Sequence, residues 1–249
     1  MSNRMCKYFS SVATTVWINR KNLKMNFLEY AMLVVLFPLT YLVISATSSD
    51  SAGIALRASG MLISMVISLF VNMQGSLIAN ANVITTRELY ATYGVKPLHV
   101  YDGMSVFHFI MAFPMIVLTA IICLMSGNSI NYFGLVIWGI ICYIFLSSLS
   151  IVLGGIIKNP HVSTPIISIC YMIIMMISPI YYSAPLTNIA LYFNPFSWLC
   201  ESLKVVLGIT SVYNFNMSVL ILLAVSIVLR AISFKLCNDS SAIEKSTII

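Results

Sequence analysis

The chain has 249 residues, of which 60% are hydrophobic and 8% charged, with a formal net charge of +6. A soluble domain carries about 25% charged residues, so this composition cannot clothe a water-exposed surface and reads as an integral membrane protein. The basic balance does not imply nucleic-acid binding, because Lys and Arg sit at the ends of apolar runs, where membrane topology accounts for them.

Residues 4–24 predict an amphipathic helix lying in the membrane interface. Met5, Tyr8, Phe9, Val12, Ala13, Val16, Trp17 and Leu23 recur at three- and four-residue steps, with Arg4, Lys7, Ser10, Ser11, Thr14, Lys21 and Asn22 between them. The start of the chain is polar and reads as carrying no cleavable signal. A first span is expected over 30–46, with Pro38 kinking it, and Thr47 to Arg57 is expected to be a polar loop. A second span is expected over 58–80. In it Ser64, Ser68, Asn72, Ser76 and Asn80 recur every four residues as one slowly drifting stripe. Such a stripe either walls a translocation path or hydrogen-bonds to a neighbouring helix.

Thr85 to Asp102 is the longest polar interruption in the chain and holds Arg87, Glu88, Lys96 and Asp102. A third span is expected over 104–125, with His108 and Pro114 inside it. The turn Ser126-Gly127-Asn128-Ser129 leads to a fourth span over 132–157, which ends on Gly154-Gly155, small residues that allow close helix approach. A fifth span is expected over 162–182. Residues 183–214 are apolar but broken at Asn194-Pro195, since the residue before a proline disfavours helix. They predict two short helices that dip into the membrane and return. A sixth span is expected over 215–236, with Arg230 and Lys235 snorkelling in its last turns and a polar tail from Asn238. If both termini are cytoplasmic, all of the 13 Lys and Arg except Arg57 and Lys204 fall on the inner side. That bias puts residues 85–101 in the cytoplasm and 183–214 outside.

No phosphate-binding G-x-x-x-x-G-K-[ST] loop occurs, so the chain cannot bind ATP in that way. His99, His108 and His161 are scattered, and no metal-ligand or catalytic motif accompanies them. The expected spans hold no acid for proton coupling. A protein of this kind moves or binds something while a partner supplies the energy, and the sizeable inner segment for contacting it is 85–101.

Several motifs, in order, resemble the membrane subunit of type-two ABC exporters, the class of drug, peptide and polysaccharide export permeases. They are the basic helix Arg4–Lys24, the run Arg87 to Leu98 with its charged pair and proline, and the fourth-span exit Gly154 to Pro160. Ser178 to Tyr182 and Asn194 to Lys204 complete the series. The resemblance implies an all-α, six-span permease, 1–249, in the plasma membrane, with no catalytic residues, metal or cofactor of its own. It implies separate ATPase subunits, holding ATP and Mg, that dock on a coupling helix at 85–101 through Arg87, Glu88, Leu89, Tyr90, Tyr93, Lys96 and Pro97. It also implies a second permease copy or homologue, surrounding membrane lipid, and no nucleic-acid partner. Ser64, Ser68, Asn72, Ser76 and Asn80 would line the path, and Asn194, Pro195, Trp198 and Glu201 would shape the re-entrant segment. The expected cargo is an amphipathic peptide, antibiotic or drug. The alternatives are a lipid-linked glycan, or a channel or carrier that works without a partner.

Overall fold

The computed structural model describes residues 2–25, 51–81, 97–157, 159–182 and 189–246, and every regular element among them is a helix. Helix α1 is Ser2–Met25. Helix α2 runs through Ser51–Ile67, a π-helical turn Ser68–Gln74 and Gly75–Ala81. Helices α3, Pro97–Met125, α4, Tyr132–Ile156, and α5, Pro160–Ile177, follow. Two short helices, α6, Ile189–Phe193, and α7, Pro195–Val206, precede α8, Phe215–Ser246. The expected first span, 30–46, lies outside the described residues.

Four helices, α2, α3, α4 and α8, are long and apolar enough to cross a membrane, and Val162–Ile177 of α5 is a shorter apolar helix. Large apolar side chains stand exposed along these helices: Phe113, Val117 and Ile121 on α3, Ile169, Ile173 and Met176 on α5, Leu220, Ile227 and Val228 on α8. Water would not tolerate so much contiguous apolar surface, whereas lipid solvates it. The chain is an all-helical membrane protein.

The helix limits differ from the expected ones in four places. Helix α2 takes in Ser51–Arg57 of the expected loop, and α3 starts at Pro97, so Asp102 lies within it. Proline suits a helix start, where its missing N–H is not needed. Helix α5 stops at Ile177 and residues 178–182 bend, because Ser178 precedes Pro179 and is steered out of the helical region. Helix α8 continues as far as Ser246, through the expected polar tail.

The core lies between α2, α3, α4, α7 and α8, around Phe70, Trp138, Phe145 and Leu146. Helix α4 packs along α8 and crosses the end of α2, where a side chain at Gly154 would strike backbone: a Cβ there would stand 2.6 Å from Gly75 O. Gly127, at φ +82°, makes the tight turn between α3 and α4.

Helix α1 packs on α3 and presents three faces. Ser11, Thr15 and Asn19 are buried, and each bonds the carbonyl four residues earlier, so small polar side chains face the bundle with their hydrogens satisfied. Met5, Phe9 and Trp17, at steps of four and eight residues, are exposed as an apolar stripe, and Lys7, Ser10 and Thr14 form an exposed polar stripe between these two faces. The expected amphipathic helix is present, but the bundle takes its small polar face and leaves the aromatic stripe outward. Close approach depends on Gly103, where a Cβ would lie 2.6 Å from Thr15 Cβ and 3.1 Å from Val12 O. Gly103→Val is expected to push α1 off α3 at a cost of about 1–3 kcal/mol. Maleimide labelling of an Asn19→Cys reporter, slow in the parent chain, should then become fast; slow labelling in both would contradict the packing.

Candidate functional site

Polar side chains inside a membrane bundle are expensive and tend to mark function or assembly. Among the described residues they gather in three places.

The first is the stripe on α2. A four-residue step overshoots a 3.6-residue turn, so the stripe would drift around a pure α-helix. The π segment Ser68–Gln74, with its wider i→i+5 turn, takes up the overshoot and keeps the stripe facing α5. Ser64 shares a hydrogen bond of 3.1 Å with Tyr181, and Ser68 bonds Tyr171. Ser168 donates to Asn72 Oδ1 at 3.0 Å and Ser163 to Asn80 Oδ1 at 3.4 Å. The partners rise in number as the stripe falls, as antiparallel helices require. Ser76 Oγ has no partner. Of the two readings of the stripe, the helix-to-helix ladder is present in the hydrogen bonds. Its rim is still open, since Ser68, Asn72 and Ser76 are half-buried and Asn80 is exposed. On the opposite face of the same turn Gln74 donates to Ser105 at 2.6 Å, beside His108, which is buried and bonded through Nδ1 to Met104 O at 2.8 Å.

The second lies at the end of the bundle where α3 begins, against the middle of α8. Arg230 donates to Asp102 Oδ1 at 2.6 Å, and Tyr8 donates to Asp102 Oδ2 at 2.9 Å. Tyr8 also stacks edge-on against His99, with ring centroids 4.8 Å apart, so His99 and Asp102 share the helix face their spacing suggests. Burial first, and then the Asp102 carboxylate, push the Tyr8 phenol up, which keeps it a donor. A cavity of about 200 Å³ opens beside the cluster, lined also by Tyr143, Ser147 and Ser148 of α4. Two expectations are corrected here. An acid does sit inside an apolar helix, and Arg230 turns to that acid instead of only reaching along its own helix for water. The signal in the sequence was an arginine in an expected span, 215–236, that holds no acid, in a chain with only 7 Asp and Glu to pair with it.

The third lies at the opposite end, in α6 and α7. Asn194 separates the two helices and caps α7, accepting from Phe196 N at 3.0 Å, while its amide donates to Ile177 O at 3.0 Å. Pro195 occupies the first turn. Trp198 Nε1 donates to Tyr192 O at 2.7 Å. Glu201 and Lys204, three residues apart, form an ion pair of 2.7 Å with both side chains fully buried. The ammonium also donates to Pro179 O and Tyr182 O, and Ser211 donates to the second Glu201 oxygen at 2.6 Å. Lys204 therefore spends all three donors on protein. It is a staple that holds α7 to the bend after α5.

Of the expected coupling residues, Arg87, Glu88, Leu89, Tyr90, Tyr93 and Lys96 lie outside the described residues, and Pro97 opens α3. No group of His, Cys, Asp or Glu able to hold a metal occurs among the described residues. No family model and no curated protein matches the chain.

Proposed function

We propose that the chain is the transmembrane subunit of an ATP-driven exporter of the type-two ABC class, which moves an amphipathic peptide, antibiotic or drug across the plasma membrane. The observation that carries the reading is the order of parts. A three-faced helix comes first, long apolar helices follow, and two short helices split at Asn194-Pro195 precede the last long helix. In this reading the chain has six spans, with 30–46 as the first, and both termini are cytoplasmic. Helices α6 and α7 re-enter the outer leaflet, where Asn194, Pro195, Trp198 and Glu201 shape them. Residues 85–101 dock in a cleft of a separate ATPase, which holds the ATP and Mg. The open rim of the α2 stripe, Ser68 to Asn80, faces a second permease copy or homologue and lines the path between them.

The test is reconstitution in liposomes with the soluble ATPase that co-purifies. The chain alone should hydrolyse no ATP and should stimulate the partner. Arg87→Ala with Glu88→Ala should lower ATP-driven export about tenfold, within the usual 1–3 kcal/mol range of coupling energies, and leave thermal unfolding unchanged. Intact export in that variant would overturn the coupling assignment. Conductance by the lone chain would replace the exporter reading with a channel.

A further inference from the structure

The cavity beside Asp102 has a polarity that the exporter reading does not use. We infer that it binds the headgroup of a zwitterionic phospholipid with a primary amine, phosphatidylethanolamine in chemical class, and this holds whatever the chain transports.

The size points to a headgroup. A cavity of about 200 Å³ lies below the 300–1,000 Å³ typical of drug-sized ligands. The wall charges are balanced, Arg230 against Asp102. A ligand of net charge would leave one charge uncompensated beside this pair, whereas a zwitterion leaves none. The hydrogen-bond inventory is balanced as well. Arg230 gives one guanidinium N–H to Asp102 and has four more, which with the Tyr143 hydroxyl suit a phosphate. Ser147 and Ser148 line the cavity and commit their hydrogens to Ile144 O at 3.2 and 2.8 Å; Ser148 is wholly buried, so Ser147 is the hydroxyl left to accept from a ligand. Together with the Asp102 carboxylate it suits the N–H groups of a primary ammonium, which a quaternary ammonium lacks. The surroundings suit acyl chains. Phe9 stands exposed next to Tyr8 on α1, and Ile227, Val228 and Phe234 stand exposed on either side of Arg230 on α8.

Purified full-length chain would be incubated with vesicles holding equal parts of phosphatidylethanolamine, phosphatidylcholine and phosphatidylglycerol. After washing, the lipid retained per chain would be measured by native mass spectrometry. One ethanolamine lipid per chain should be retained, enriched about tenfold over the other two, a difference of roughly 1.4 kcal/mol. Tyr143→Phe and Ser147→Ala each leave the Asp102–Arg230 pair in place and should each reduce that retention severalfold without lowering the unfolding temperature. Equal retention of the choline or glycerol lipid would overturn the proposal. So would unchanged retention in both variants. A third arm adds soluble phosphoethanolamine to the lipid-loaded chain. Displacement at micromolar concentration would identify a free metabolite as the ligand and overturn the lipid assignment, and displacement only at far higher concentration would support it.

Discussion

Lys204→Met is expected to destabilise the purified chain by about 3–5 kcal/mol, the usual cost of breaking a buried ion pair by removing one partner. The ammonium is fully buried and holds Glu201 Oε1, Pro179 O and Tyr182 O together. Its loss leaves the Glu201 charge buried without a counter-charge and takes a donor from two carbonyls. Ser211 still donates to the other Glu201 oxygen, but a hydroxyl does not neutralise the charge. The cost therefore comes from the orphaned acid more than from the lost attraction. It follows that Glu201→Leu combined with Lys204→Met should be less harmful than Lys204→Met alone, because paired hydrophobic replacement of a buried ion pair is often neutral. Fluorescence-detected size-exclusion after heating measures both. A single variant within 1 kcal/mol of the parent, or a double variant worse than the single, would contradict this account of the staple. Nearby, burial and then Glu201 raise the pKa of Tyr213, so its phenol should stay protonated well into alkaline solution.

Gly154→Leu is the second large effect. Its Cβ would stand 2.6 Å from Gly75 O and 2.8 Å from Ile78 Cβ. The first obstacle is backbone at the exit of the π turn and cannot rotate away. Overpacking costs about 1–3 kcal/mol and occasionally more, and a backbone obstacle puts this site at the upper end. The neighbouring glycine supplies the control. A Cβ at Gly155 meets Leu236 Cδ1 at 3.5 Å, an ordinary contact. Gly155→Ala should be nearly neutral, whereas Gly154→Ala should already lower the unfolding temperature. Equal effects at the two positions would mean that α2 and α4 are not in close contact there. The pair Gly154-Gly155 reads in the sequence as one small-residue motif, and the fold gives the two residues different tasks.

How much was legible varied with the range of the interaction. Helix type and approximate place follow from apolar runs, prolines and turn residues, which act within a few residues; α4 and α7 stand close to where those signals put them, while α3 starts earlier and α8 runs on further. The break at Asn194-Pro195 is of this local kind, and so is the amphipathic pattern of α1. The facing of α1 was not legible. Both its aromatic stripe and its small polar face repeat at helical spacing, and only Gly103 on another helix decides which one the bundle accepts. The four-residue stripe on α2 was visible as a pattern. That Ser163, Ser168, Tyr171 and Tyr181 answer it depends on antiparallel packing with α5.

By itself, then, the sequence determined that this chain is helical, apolar enough for a membrane, and broken into helices at particular prolines and polar turns. Those outcomes depend on transfer energies and backbone sterics, which are properties of a residue and its near neighbours. Only the tertiary structure decided which charges meet. Asp102 and Arg230 are 128 positions apart, and either could have faced water, lipid or another partner. A charge in a low-dielectric bundle takes its energy from whatever lies within a few ångströms, and that neighbour is set by helix packing. The same dependence made Lys204 a buried staple, and gave the wall beside Asp102 its balanced charge.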